Sequence, residues 1–136
     1  MSMKKYLVAI LALLFWGCTI DDLPKYEPFL ASISGVELPE TLIHGETYAF
    51  PVQYIRANSC DVFSGFDHID NGNEQLIGVI NRYYPEVGDC EDGVFNAEID
   101  FEFVVDRNDF YIFKFWQGAD ENGDPEYLTI EVQVEQ

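Results

Sequence analysis

The chain has 136 residues, 25 of them acidic and seven basic, giving a formal net charge of −18 at pH 7. A field of that sign repels nucleic acid and anionic head groups, so both are disfavoured as partners, while divalent cations or a basic partner are favoured. Such acidity also accompanies disorder, but 15% aromatic content together with many β-branched residues calls for a packed core.

The first element is a leader. Met1-Ser2-Met3-Lys4-Lys5 is short and positive, and 6–16 is an unbroken apolar run of eleven residues. Crossing a bilayer takes roughly 20, so the run fits a signal-peptide core rather than a span. Gly17-Cys18 closes it, and polar residues begin at Thr19. Ordinary signal peptidase prefers small residues at −1 and −3, where Gly17 fits and Phe15 does not. Leu14-Phe15-Trp16-Gly17-Cys18 resembles a lipobox, with bulky Phe15 and Trp16 departing from the small residues usual there. A chance cysteine behind an uncleaved leader is the alternative. The resemblance implies a lipoprotein signal peptide over 1–17, a lipidated Cys18 as the mature N-terminus and a polar, proline-punctuated tether over 18–28. Two or more acyl chains, at about 0.8 kcal/mol per buried methylene, anchor stably. Thr19 in place of Asp after the cysteine implies the outer membrane, and Asp21-Asp22 looks like an acidic surface-export tag. The expected location is therefore the cell envelope, facing the periplasm or exposed at the surface, with the membrane held through the lipid anchor.

Lys4 and Lys5 leave with the leader, so five basic residues face 25 acidic ones and the mature charge is −20. Cys60 and Cys90 remain. In an oxidising compartment an even pair most simply forms a disulfide, and a loop of this length, about 30 residues, is worth roughly 3–4 kcal/mol in the chain-entropy account.

No stretch keeps a helical period, and strand signals separated by Gly, Asn, Asp and Pro clusters run through 29–136. The expected strands are 31–38, 48–54, 61–68, 75–83, 95–105, 110–117 and 128–134. In the fifth, Phe95, Ala97, Ile99, Phe101, Phe103 and Val105 face one way and Asn96, Glu98, Asp100 and Glu102 the other. In the second, Pro51 interrupts the stripe Tyr48, Phe50, Val52, Tyr54 and predicts an edge strand or a bulge. Seven antiparallel strands suggest an all-β, two-sheet immunoglobulin-like sandwich, with a small barrel as the alternative. Cys60 lies between strands two and three and Cys90 between four and five, which puts both at one end of such a sandwich.

The run Phe113-Lys114-Phe115-Trp116-Gln117-Gly118, followed by Asp120-Glu121-Asn122-Gly123, resembles small lipoproteins of gram-negative bacteria that carry a single immunoglobulin-like β-sandwich domain. The likeness covers most of 45–134 and implies fold and location, not an activity.

Three groups of residues invite chemistry. Asp120, Asn122 and Asp124 alternate as the oxygen ligands of a Ca²⁺ loop do, with Glu86, Asp89, Glu91 and Asp92 expected at the same end. Pro125 and Glu131 occupy the sixth and twelfth positions, which breaks the EF-hand pattern, and Asn122-Gly123 is a strong hairpin signal in its own right. His44 and His68 lack zinc-site spacing, and Ser59 and Ser64 lack a nucleophile elbow. On strand 110–117, alternation turns Tyr111, Phe113 and Phe115 inward and Trp116 outward, where with Tyr83 and Tyr84 it could contact a partner protein or a glycan. The expected function is a non-enzymatic, membrane-anchored, surface-exposed interaction or structural module. The alternative is a calcium- or glycan-binding module of the envelope, with a hydrolase as the third class.

Overall fold

The computed structural model describes residues 27–136; the leader, Cys18 and the tether before Glu27 lie outside the described residues. The chain forms β1 (Phe29–Ala31), β2 (Ile33–Val36), β3 (Thr41–Ile43), β4 (Thr47–Asn58), β5 (Asp61–Asn71), β6 (Glu74–Tyr83), a 3₁₀ turn (Pro85–Val87), β7 (Asp92–Val104), β8 (Phe110–Ala119) and β9 (Pro125–Glu135). They make two sheets, mostly antiparallel and not closed into a barrel. One sheet is β2-β4-β7. In the other, β5 lines one edge of β6 along its length, while β8 and β1 share the opposite edge. There β8 pairs with Glu74–Ile77, and β1 takes over at Val79–Asn81. β9 and then β3 continue beyond β8.

Alternation builds the core as the residue types require. Phe50, Val52, Tyr54, Phe101 and Phe103 from the three-stranded sheet meet Ile77, Val79, Tyr111, Phe113, Phe115 and Val132 from the six-stranded one. Along β7 the even positions from Asn96 to Val104 are exposed, while burial on the odd side deepens from Phe95 to Phe103. The aromatic rings pack edge-on and offset, Phe113 lying 5.5 Å from Phe50 and 5.1 Å from Phe103.

Four features differ from the sequence reading. The single strand expected over 31–38 breaks at Ser32, so β1 and β2 belong to different sheets. β3 was not expected; it is three residues long and buries only Leu42. Two pairings, β6 with β8 and β3 with β9, are parallel. Pro51 sits in β4, an interior strand. Its carbonyl accepts from Glu37 N at 3.0 Å, so its ring nitrogen faces the same neighbour just past the end of β2. The reciprocal bond is the one proline cannot make, and the ladder stops there.

The corner between β7 and β8 is closed by two side chains. The Tyr111 hydroxyl accepts from Asp106 N and Arg107 N, both at 3.0 Å, and donates to Asp106 Oδ1 at 2.6 Å. Burial, and then the bond to Asp106, push its phenol above the usual value, so it stays a donor. Asp109 accepts a bidentate pair from Arg107 at 2.8 and 2.9 Å and a bond from Phe110 N at 2.7 Å. Those partners, Arg107 first, hold its carboxyl far below the ordinary range. A depressed carboxylate stabilises the fold above its unfolded value and loses that contribution as pH falls through the acid range. Asp109→Asn is therefore expected to lower the melting temperature at pH 7 and to converge with the parent as the pH is taken below about 3. Melts across that pH range check it, and parallel curves for the two proteins would remove Asp109 from the account.

Candidate functional site

The Cys60–Cys90 disulfide is present, with a Cα–Cα distance of 5.3 Å. It joins the β4–β5 turn to the segment between β6 and β7, and main-chain bonds sew the same seam: Ser59 N to Glu91 O and Tyr84 N to Cys60 O, each 2.9 Å. Asn58 Oδ1 accepts from Cys60 N, and the Asp61 carboxylate accepts from Asn58 N. Burial is the main influence on Asp61 and raises its pKa against those bonds.

Asp120, Asn122 and Asp124 lie in the β8–β9 hairpin. Asp120 Oδ1 accepts from Asn122 N at 2.8 Å and Asp124 N at 3.0 Å, while Asp120 N and Asp124 O close the turn. The acidic spacing thus has a local use: a carboxylate folded over its own turn, with Gly123 supplying φ of +83°. Among the described residues no group of three or more His, Cys, Asp or Glu is placed to hold a metal ion.

Trp116 projects from the outer face of the six-stranded sheet, half-buried, and stands directly opposite Tyr127 across the β8–β9 ladder. A bulge follows at Gln117, with Gly118 at φ +126°. Leu30, Ile69, Leu76 and Gly78 join the two aromatics around a hollow of about 50 Å³, with Asp67 on its wall. Gly78 is its floor: a Cβ there would come within 2.9 Å of Leu30 Cδ2, so the bare backbone lets Leu30 lie across the strand. Pro28, Phe29 and Ile80 extend the surface into an adjoining hollow of about 250 Å³. Leu30 and Ile69 remain 37% and 49% exposed beside the two aromatics, an apolar surface of the kind that marks a contact site. Lys114 borders it, 3.6 Å from Glu74 and over the Tyr127 ring at 5.8 Å.

Tyr83 and Tyr84 are elsewhere. They sit at the disulfide end of β6, five residues beyond Gly78, which at roughly 3.3 Å per strand residue is about 16 Å away. Trp116 is joined instead by Tyr127, Leu30 and Ile69, which the sequence reading had not selected. Only Tyr127 carried a usable signal, since alternation with the core-facing, partly buried Leu128 and Ile130 turns it outward.

The outer face of the three-stranded sheet is different in kind. Glu98, Asp100 and Glu102 line β7, and its hollow of about 330 Å³ is edged by Ser34, Gln53, Asn96 and Glu98. No Lys or Arg stands at an outward position of β2, β4 or β7. The domain therefore has an acidic face and an apolar, aromatic face on opposite sides. In comparisons with protein families, curated proteins and solved structures, none matches this chain.

Proposed function

We propose that the chain is a membrane-anchored, surface-exposed, non-enzymatic interaction or structural module of the cell envelope, and that it binds through the outer face of its six-stranded sheet. The observation that carries this reading is the exposed apolar surface around Trp116 and Tyr127, built on rigid strands beside the point where the chain enters the domain. The sandwich is read as immunoglobulin-like in three respects: the antiparallel β2-β4-β7 sheet, β3 running parallel to the final strand, and the Tyr111 hydroxyl tied to the corner before its strand. β6 lying parallel beside β8 is its departure from that pattern.

A photo-crosslinking side chain placed at Ile69 tests the reading in intact envelopes. Position 69 is expected to give specific adducts, while the same probe at Glu98, on the acidic face, gives none. Equal labelling at the two positions would sink the assignment of the face. Fractionation of a Cys18→Ala chain tests the anchor separately, with release into the soluble fraction expected.

The second reading, a glycan-binding module, is favoured by the cross-strand Trp116–Tyr127 pair with Asp67 in the same hollow, since aromatic faces stack on sugar rings and a carboxylate bonds their hydroxyls. A shift of Trp116 emission on adding envelope polysaccharide would support it.

A further inference from the structure

We propose that the outer face of the six-stranded sheet rests on the lipid surface that holds the chain's own anchor. The inference depends on the anchoring reading above and names the partner of the same face.

Chain connectivity comes first. Nine residues separate Cys18 from Pro28, and Pro28, Phe29 and Leu30 themselves line the exposed hollow. Extended chain spans at most about 3.6 Å per residue, so an anchored Cys18 keeps this face within roughly 35 Å of the bilayer. A short tether raises the effective concentration of that encounter to about the millimolar range, where a weak patch suffices.

Side-chain chemistry fits the same surface. Tryptophan and tyrosine favour the head-group level, where an apolar ring and a polar tip are both accommodated. Trp116 and Tyr127 stand there as a pair, with exposed Leu30 and Ile69 beside them to reach the acyl boundary. Lys114 and Arg82, two of the four cations among the described residues, occupy outward positions of this sheet and can meet lipid phosphates. Asp67 and Glu74 share the face, which sets contact at head-group depth rather than insertion.

Charge fixes the orientation. Glu98, Asp100 and Glu102 on the opposite face, with no Lys or Arg at an outward position of their sheet, stay in water, since taking carboxylates out of it costs most. The same acidity argues against a second copy as the occupant, because each mature chain carries −20.

The processed chain contains one tryptophan, Trp116, which makes the face its own reporter. The full chain, purified from membranes, is placed in phosphatidylcholine nanodiscs with and without brominated acyl chains, and mass spectrometry reads its N-terminus. The expected result is an acylated Cys18 with Trp116 emission lost in the brominated discs and regained in Ile69→Asp and Leu30→Asp chains. An acylated chain whose emission ignores bromination overturns the docking and leaves the anchor standing. A chain without an acyl group overturns the anchor and the inference with it. Unquenched emission that shifts instead with protein concentration, or with added polysaccharide, overturns the lipid surface in favour of a second copy or a glycan.

Discussion

Phe113→Ala is expected to cost about 3–5 kcal/mol of stability, the range for emptying a large buried aromatic site. Phe113 is fully buried on β8, edge-on to Phe50 and Phe103 and stacked at 5.6 Å on Tyr111 and 6.2 Å on Phe115. Its ring therefore bridges both sheets, and neighbours held at strand spacing cannot collapse into the space it leaves. Against a total stability of roughly 5–15 kcal/mol the loss is a large fraction. At about 4–8 °C per kcal/mol for a domain near 100 residues, the melting temperature falls by 12 °C or more, roughly. Val94→Ala, at a site 74% exposed, is the matched control and is expected to stay within about 0.5 kcal/mol of the parent. Urea melts followed by Trp116 emission give both numbers. A Phe113→Ala loss below about 1 kcal/mol would mean that the two sheets do not share one close-packed core.

Removing the disulfide as the Cys60→Ser, Cys90→Ser pair is expected to cost roughly 3–4 kcal/mol, the chain-entropy value for a loop of this size. The substitution is made at both ends so that no lone thiol remains to exchange or oxidise. Two opposing outcomes are informative. The seam is also held by Ser59 N to Glu91 O and Tyr84 N to Cys60 O, so a native-like fold with lower global stability points to the unfolded chain as the seat of the effect. Faster hydrogen exchange confined to the Ser59 and Tyr84 amides would place it in local opening instead. An unchanged denaturation midpoint would contradict both.

Much of the sandwich was legible because side chains alternate along the long strands, with a wet face on β7 and β9. The alternation from Phe95 to Val105 and from Tyr111 to Phe115 fixes which side is buried, since a slip of one residue would expose every ring. Cys60 and Cys90 were legible for a related reason: once the strands alternate in direction, their turns fall at one end. What was not legible is pairing across the chain. Ser32 interrupts no pattern, yet the chain there leaves one sheet for the other, because only β1 fills the edge of β6 that β8 abandons. β3 is too short to show a period. Pro51 pointed to an edge strand or a bulge, and it marks the end of a neighbour's ladder instead. The outward turn of Trp116 followed from its own strand. Its company did not, since Leu30 and Ile69 reach it only through the β1–β6 and β5–β6 pairings.

The shared edge of β6 also decides how the domain carries mechanical load. Tension arriving from the N-terminal side is taken up first by β1, which holds β6 through three residue pairs, Phe29 with Asn81, Leu30 with Ile80 and Ala31 with Val79. Behind it, β2 is clamped in the opposite sheet by its own ladder to β4. A pull can therefore peel β1 while the domain beyond it stays folded, and the bared edge of β6 then offers unpaired backbone for any extended segment to replace it.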